Sequence, residues 1–492
     1  MQYFPHIIDG VDADSRDGRR FGDVDPWTRE QHAEVALGGR ADVELAVTAA
    51  RRAFDEGPWP RMGSAERGAV LHRLADLIDE HAAELGAADT VDMGKPIDDT
   101  QGKDVPRSAS NFRFFADHAR LAAAETLPSD TGHHVYTRFD PVGVVGAIAP
   151  WNFPLMLESW KIAPALAWGN TVVLKPAEDT PGSATLLARL AVRAGMPPGV
   201  LNVVHGFGPD SAGEALVAHP GVDRITFTGE SSTGRAIAAA AGARLAPVSL
   251  ELGGKGANLV FADADLDAAV EWSIKAAFTN AGQVCLAGSR LYVERPVYEE
   301  FVARFAAAAE SLPVGDPSRP GTKIGPLASR EHFAKVTGHL EQAERSGAKR
   351  VTGGVGEGWT VLPTVLTDVD DDAPICRQEV FGPVVTVRPF DGEAEAVALA
   401  NDTPYGLNAM VFTEHLHRAH RVSAALKAGT VWVNCFFVRD LRAPFGGAGD
   451  SGIGREGGLF SREFFTEPKA VVMRIDPDAT PGMPPNMREM SQ

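Results

Sequence analysis

Three short segments set a thiol, a carboxamide and a carboxylate beside residues that leave the main chain room to approach. Gly282-Gln283-Val284-Cys285 places a cysteine next to small residues, and Pro150-Trp151-Asn152-Phe153-Pro154 holds an amide between two prolines. Glu251-Leu252-Gly253-Gly254-Lys255 puts an acid directly before two glycines. A thiolate is a strong nucleophile although a free thiol ionises only near about pH 8.5. An amide can donate to a developing oxyanion, and a carboxylate can take a proton from water. Taken alone, a cysteine is more often buried packing than chemistry. Its company, a Glu and an Asn each flanked by Gly or Pro at the ends of predicted elements, favours chemistry.

Other motif-like strings carry less. Gly447–Gly452 and Gly452–Gly457 both read GxGxxG, but neither follows a strand directly, and the chain nearly ends before a ribose-binding acid could follow. They read as a glycine-rich loop. Gly229–Gly234 imitates a phosphate-binding loop but is followed by Arg235 and Ala236 in place of Lys and Ser/Thr. His415, His417 and His420 do not share one helical face, so no metal site is expected. Neither a GxSxG elbow nor an HExxH pair occurs.

The elements that must position these groups follow from periodicity. After a short extended start, Val43, Val47, Ala50 and Phe54, then Leu71, Leu74, Ile78 and Leu85, recur at helical spacing. A further helix is predicted over Val105–Ala119 and a strand over His134–Phe139. From 142 to 262, β-rich runs at Val142–Ala149, Thr171–Leu174, Val200–Val204, Arg224–Phe227, Ser249–Leu252 and Asn258–Phe261 alternate with helical segments such as Ser183–Ala194 and Ser232–Ala241. That alternation predicts βαβ units in a parallel, doubly wound sheet. Such sheets bind ligands outside the carboxyl ends of their strands, where PWNFP, Lys175-Pro176-Ala177-Glu178 and ELGGK fall. A second α/β region is predicted from about 263 to 440, with helices at Leu266–Phe278 and Tyr298–Ala309 and strands at Arg290–Val293 and Val384–Pro389. Pro477–Gln492, rich in Pro and Met, is expected to fray.

The 492 residues suggest roughly two to four domains. With 65 acidic against 47 basic side chains, the net charge is −18, which argues against a nucleic-acid protein because phosphate recognition needs clustered cations. Cys285, Cys376 and Cys435 cannot all pair and show no metal-ligand spacing, which fits a reducing cytoplasm. No signal peptide is read in Met1–Asp12, and no segment approaches the roughly 18 apolar residues of a membrane span.

The chain resembles the NAD(P)-dependent aldehyde dehydrogenases from about residue 5 to about residue 475. The likeness rests on PWNFP at 150, KPAEDTP at 175, FTGESSTG at 227, ELGGK at 251, GQVCLAGSR at 282, EVFGP at 379 and PFGG at 444, in the family's order. The implied fold is α/β in three parts. An atypical Rossmann cofactor domain would comprise residues 1–118 and 140–252, and an α/β catalytic domain residues 253–445. A small β oligomerisation arm with the C-terminal region would comprise 119–139 and 446–492. A homodimer or homotetramer is implied.

The resemblance makes Cys285 the nucleophile that forms a thiohemiacetal and then a thioester. Asn152 with the Cys285 backbone N–H would bind the oxyanion, and Glu251 would activate the hydrolytic water. Lys175 and Glu178 resemble the pair that holds the adenosine ribose, and Glu379 the acid at the nicotinamide ribose. Further cofactor contacts are implied at Ala149, Pro150, Trp151, Gly208, Gly229, Leu252 and Phe381. A carboxylate at 178 would repel a 2′-phosphate, so NAD is expected over NADP. Where most of the family has Ser after FTG, this chain has Glu230, which must point away from a pyrophosphate.

Arg107, in Pro106-Arg107, and Arg439 and Arg442, in Val438-Arg439-Asp440-Leu441-Arg442, resemble the muconate-semialdehyde branch, as does SGIGREGG at 451. Two readings of these arginines stand: a planar clamp for a substrate carboxylate, or ion pairs with Asp104, Asp440 or Glu456. The first implies a 2-hydroxymuconate-semialdehyde type of substrate. The alternatives are the 5-carboxymethyl relative and a broad-specificity aldehyde dehydrogenase.

Overall fold

The computed structural model describes residues 1–127 and 132–475; the fraying expected of Pro477–Gln492 lies outside them. Two sheets organise the chain. The first has eight strands in the order Gly452–Ile453, Val248–Glu251, Arg224–Thr228, Val144–Ile148, Thr171–Lys175, Leu201–Val203, His6–Ile8 and Val11–Ala13. Its five central strands run parallel, and antiparallel strands close both edges. All five residues of Val144–Ile148 and of Thr171–Lys175 are buried. A parallel sheet covered on both faces requires such unbroken apolar runs. The parallel part begins at Val144–Ile148, builds outward through Thr171–Lys175 and Leu201–Val203, then crosses back to Arg224–Thr228 on the other side. The crevice between the first and last of these strands is the topological switch point.

The second sheet has seven strands, in the order Lys349–Val355, Val361–Thr367, Val384–Phe390, Arg290–Glu294, Ala257–Val260, Asn408–Phe412 and Thr430–Val433. The sixth predicted strand, Asn258–Phe261, therefore sits in the middle of this sheet, apart from the five before it. A third sheet pairs Thr466–Arg474 along its whole length with His133–Pro141. Gly452–Ile453, inside the second GxGxxG string, adds antiparallel to Val248–Glu251, while Ala448–Gly449 pairs with Tyr405–Gly406. The glycine-rich loop thus ties the strand that ends at Glu251 to the second half of the molecule.

Helices fall where the periodicity places them: Arg40–Asp55, Ser64–Glu80, Gly182–Arg193, Ser231–Gly242, Leu266–Phe278 and Tyr298–Glu310. The Leu71-to-Leu85 repeat is broken at His81, where a second helix, Ala82–Met93, begins. The helix predicted at Val105 runs to Leu121 and is entered through one turn of π-helix, Thr100–Asp104. Five short strands occupy residues 2–36, more than the brief extended start expected. No helix among the described residues is long and apolar enough to cross a membrane.

Candidate functional site

Val144–Ile148 ends at the PWNFP segment, and Pro154 opens the Pro154–Ala167 helix. Proline suits this first turn because its missing N–H would be unpaired there anyway. Asn152 is buried between strand and helix. Its Nδ2 donates to the Gln283 carbonyl at 2.9 Å, and Asn280 Nδ2 donates to the Asn152 carbonyl at 2.8 Å. The amide is thereby fixed against the segment that carries Cys285. That segment is tightly wound: Asn280, Ala281 and Gly282 take φ of 52°, 52° and 70°. Left-handed conformations cost non-glycine residues about 1 kcal/mol or more and concentrate at functional sites. At Gly282 any side chain would overlap the Gly382 carbonyl, so glycine is required for this close approach.

Cys285 is partly accessible. Burial, then the charges of Glu379 and Glu251, push its thiol up to about 12, while Arg439 pulls the other way. Glu251 ends the Val248–Glu251 strand fully enclosed, with no hydrogen-bond partner on either oxygen among the described residues. Desolvation and then the neighbouring Glu456 hold its carboxyl well above the ordinary range, against the pull of Lys161 and Arg439. Lys161 and Glu456 form a buried pair at 3.1 Å, and Thr226 Oγ1 donates to the same Glu456 oxygen at 3.2 Å. Sequence reasoning named neither Lys161 nor Asn280 nor Gln283 as functional. Lys161 and Glu456 are 295 positions apart, and nothing local to either points to the other.

The candidate cofactor residues line up along the carboxyl ends of the first sheet. Lys175 Nζ donates to the Pro176 carbonyl at 2.7 Å and reaches Glu178 Oε2 at 3.4 Å. Ala149 N donates to the Lys175 carbonyl and Gly229 N to the Glu251 carbonyl, while Leu252 N donates to the Ser451 carbonyl. Pro150 follows Ala149 directly, and Gly208 accepts from Glu214 N ahead of the Ala212–Ala218 helix. Across the cleft, Glu379 Oε1 accepts from Gly254 N at 2.8 Å. Trp151 packs against His332 and Phe381 at ring separations of 5.0 and 5.3 Å, and His332 Nε2 bonds the Phe381 carbonyl. Glu230 is exposed and reaches Lys335 at 3.3 Å. A donor–acceptor pair at Lys175/Glu178, a second acid at Glu379 and a 12-residue helix opening at Ser231 suit a ligand with two ribose diols and a pyrophosphate.

A cavity of about 430 Å³ opens beside the Asn152 segment, lined by Phe153, Met156, Leu157, Trp160, Phe436 and Phe437 together with Arg107 and Arg439. The three arginines separate here. Arg442 does not reach the cavity: it is 78% exposed and holds Asp440 in a two-bond fork. For Arg442 the ion-pair reading describes what is found. Arg107 and Arg439 share the cavity wall, and neither makes a salt bridge among the described residues. Asp104 is taken by Lys95 and Glu456 by Lys161. The Arg439 guanidinium lies 3.8 Å from the Phe445 ring centre and 4.8 Å from that of Trp160. Burial, followed by the charge of Arg107, lowers its pKa to about 10.

These features coincide with a known family. A model of the aldehyde dehydrogenase family matches residues 13–471. The chain belongs to the aldehyde dehydrogenase family. It is 49% identical over 488 residues to the 2-hydroxymuconic semialdehyde dehydrogenase of Pseudomonas sp. (strain CF600), covering 96% of this chain and 100% of that protein. It is 45% identical to a 2-aminomuconic 6-semialdehyde dehydrogenase of Pseudomonas sp., covering 97% and 99%. Among solved structures, an NAD+ complex of aldehyde dehydrogenase from Bacillus cereus superposes with a TM-score of 0.94 at 41% identity, covering 96% and 97%. As an aldehyde dehydrogenase the chain is an oxidoreductase acting on aldehydes, with the α/β fold of that family. Its similarity to the muconic semialdehyde branch agrees with the arginine-bearing segments read from the sequence.

One group of possible metal ligands converges among the described residues: Asp23, His32 and Asp92, with ligand atoms within 4.8 Å of one another. It lies on the N-terminal strands and the Ala82–Met93 helix, elements that carry none of Cys285, Asn152 or Glu251. The sequence reading named no metal ligand, and no spacing rule joins residues 23, 32 and 92.

Proposed function

We propose that this enzyme oxidises a semialdehyde bearing a distal carboxylate, of the 2-hydroxymuconate type, to the corresponding acid with NAD. One observation carries the substrate reading: Arg107 and Arg439, which form no salt bridge among the described residues, share a cavity wall whose other charged residues, Lys95, Asp99, Lys103, Asp104 and Lys275, all have ion-pair partners. Leaving partly buried cations unpaired is costly, and a substrate carboxylate held by planar guanidinium forks removes that cost. The names of the muconic relatives support the same reading.

In this mechanism Cys285 gives its thiol proton to water and the thiolate Sγ bonds the aldehyde carbon, the carbonyl π pair moving onto the oxygen. The Asn152 amide and the Cys285 backbone N–H hold the resulting oxyanion. Bound NAD would be gripped by Lys175, Glu178 and Glu379 and would supply the acceptor for the hydride that the Cys285 adduct gives up. Glu251 then takes a proton from water as its oxygen attacks the thioester, and the acid leaves with Cys285 restored. Lys161 and Glu456 act on Glu251 through their charges, the lysine favouring its ionised form and the glutamate opposing it. The Glu178 carboxylate disfavours a 2′-phosphate, which selects NAD over NADP. Residues 1–118 with 140–252 form the cofactor domain and residues 253–445 the catalytic domain; of the segments left, the paired strands His133–Pro141 and Thr466–Arg474 form an arm that joins copies into a homodimer or homotetramer, while Gly452–Ile453 extends the first sheet.

The deciding experiment compares kcat/KM with NAD for 2-hydroxymuconate semialdehyde, its 5-carboxymethyl analogue and an uncharged aldehyde of similar length. The hydroxymuconate compound is expected to lead, and Arg107→Met and Arg439→Met should each erase most of its lead over the uncharged aldehyde. An uncharged aldehyde that wins in the wild type ends the carboxylate reading.

A further inference from the structure

Glu230 stands at the start of the Ser231–Gly242 helix, where a diphosphate would be held, yet its charge has the wrong sign for that task. A carboxylate ahead of a helix is placed to accept from the unpaired N–H groups of the first turn. Glu230 does not: this helix has no side-chain cap. Its carboxylate turns instead to Lys335, with Oε1 3.3 Å from Nζ. The positive end of the helix is thereby left open to a ligand. The two partners belong to different halves of the molecule. Glu230 follows the Arg224–Thr228 strand of the first sheet. Lys335 lies on the Arg330–Arg345 helix, whose Val336 and Leu340 are buried in the core built on the second sheet. One turn earlier on that helix, His332 packs against Trp151, so the helix start runs along the cofactor cleft. Burial holds the Glu379 carboxyl up at about 7, and the charges of both Lys335 and Glu230 reach it.

The other cations near this mouth are engaged as well, Lys175 by the Pro176 carbonyl and Glu178, and Arg235 by Asp450. We propose that Glu230 sets how tightly the dinucleotide is held, by competing with its diphosphate for Lys335 across the cofactor cleft. On binding, Lys335 exchanges one carboxylate for phosphate oxygens that carry more charge. Glu230 is then left beside them without a counter-ion. Both effects lower the affinity for NAD and NADH, and both hasten release of the reduced coenzyme, the kind of step that limits turnover in many enzymes. An exposed ion pair is worth little by itself, so the effect is several-fold and not of many decades. This inference rests on the reading of the cleft as an NAD site.

The test reads binding and not turnover. NADH dissociation constants are measured by fluorescence titration at low salt, where exposed charges are least screened. The proteins are the wild type, Glu230→Gln, Lys335→Met and the double variant, each confirmed as folded by circular dichroism. Both side chains are largely exposed, so neither substitution disturbs the core. Glu230→Gln should bind NADH about threefold tighter or more, and release it more slowly by a similar factor in stopped-flow displacement by excess NAD. Lys335→Met should bind about threefold weaker or more. In the Lys335→Met background the gain from Glu230→Gln should shrink, because only direct repulsion is left. A Glu230→Gln affinity equal to or below that of the wild type overturns the proposal. So does a gain of equal size in both backgrounds, which would mean that Glu230 does not act through Lys335. Lys335→Met binding as tightly as the wild type overturns it too. If the wild type binds no NADH, the NAD reading fails and takes this inference with it; if it binds and all four proteins agree, the competition alone is excluded.

Discussion

A carboxyl group that is enclosed, faces a second acid and has no partner on either oxygen keeps its proton, and Glu251 meets all three conditions. Water activation needs the ionised form, so thioester hydrolysis should speed up as pH rises through the elevated Glu251 pKa. Glu251→Gln should remove that rising limb. Steady-state turnover should then fall about 100-fold or more, while the first-turnover burst of NADH survives, since the acid is not needed to form the thioester. Stopped-flow absorbance separates the two, and a burst lost together with turnover would assign Glu251 to the earlier step. Cys285→Ala should abolish both, and NADH formed by that variant from an aldehyde would exclude the thiol. Cys285, Asn152 and Glu251 were legible in the sequence because each sits among glycines or prolines at a strand or helix end, where the local string itself is unusual. Lys161 and Glu456 were not legible, since an ordinary helix lysine and a loop glutamate acquire meaning only when folding buries them together. Arg439 and Arg442 show the limit from the other side: three positions apart in one loop, one faces the cavity and the other solvent, a difference made by backbone direction that composition does not encode.

The Pro154–Ala167 helix connects this chemistry to the interior. Twelve of its fourteen residues are buried, Glu158, Ser159 and Lys161 among them, so no polar stripe sets it apart from its surroundings, and its start is marked by proline alone. Within it Glu158 is fully buried, with neither oxygen bonded. Desolvation, and then Asp89 and Asp92 of the neighbouring Ala82–Met93 helix, hold its carboxyl well above the ordinary range. Because the folded pKa exceeds the unfolded one, this proton stabilises the fold fully below the unfolded pKa, and that contribution is lost as pH climbs toward the folded value. Glu158→Gln removes the dependence. The variant should gain about 1.4 kcal/mol relative to wild type for each pH unit between those two values. Denaturant unfolding at pH 5, 6 and 7 reads this directly, and an advantage that does not grow with pH would mean Glu158 is ionised in the folded state. The π-turn at Thr100–Asp104 was invisible in the sequence for a related reason. Its Asp104 is held by the buried Lys95, which also lies 3.4 Å over the Phe153 ring next to Asn152. Tertiary contacts, not local propensity, set how that helix is entered and where Arg107 falls.

At the scale of the whole molecule, the Thr466–Arg474 strand pairs with His133–Pro141 through nine residues, yet most of its own length is exposed on both faces. Val472, Met473 and Ile475, with Leu127 on the Thr126–Leu127 strand at the other side of His133–Pro141, are 61%, 47%, 67% and 49% exposed. A ribbon of two or three strands is marginal alone in water, and apolar groups on such a surface mark a contact site. The proposed arm therefore needs a second copy to cover it. The net charge of −18 per chain opposes that association over long range, but repulsion between exposed charges is largely screened beyond about 8 Å at physiological salt. Light scattering at 0.15 M salt should accordingly give at least twice the 52.2 kDa chain mass. The apparent mass should fall as salt is lowered, because the apolar contact is unchanged while the repulsion lengthens. Val472→Asp places a further charge on the exposed strand, beyond the reach of the Cys285 site, and should yield monomers that keep the wild-type circular dichroism spectrum. A wild-type mass of one chain at micromolar concentration and 0.15 M salt would leave the arm without its partner.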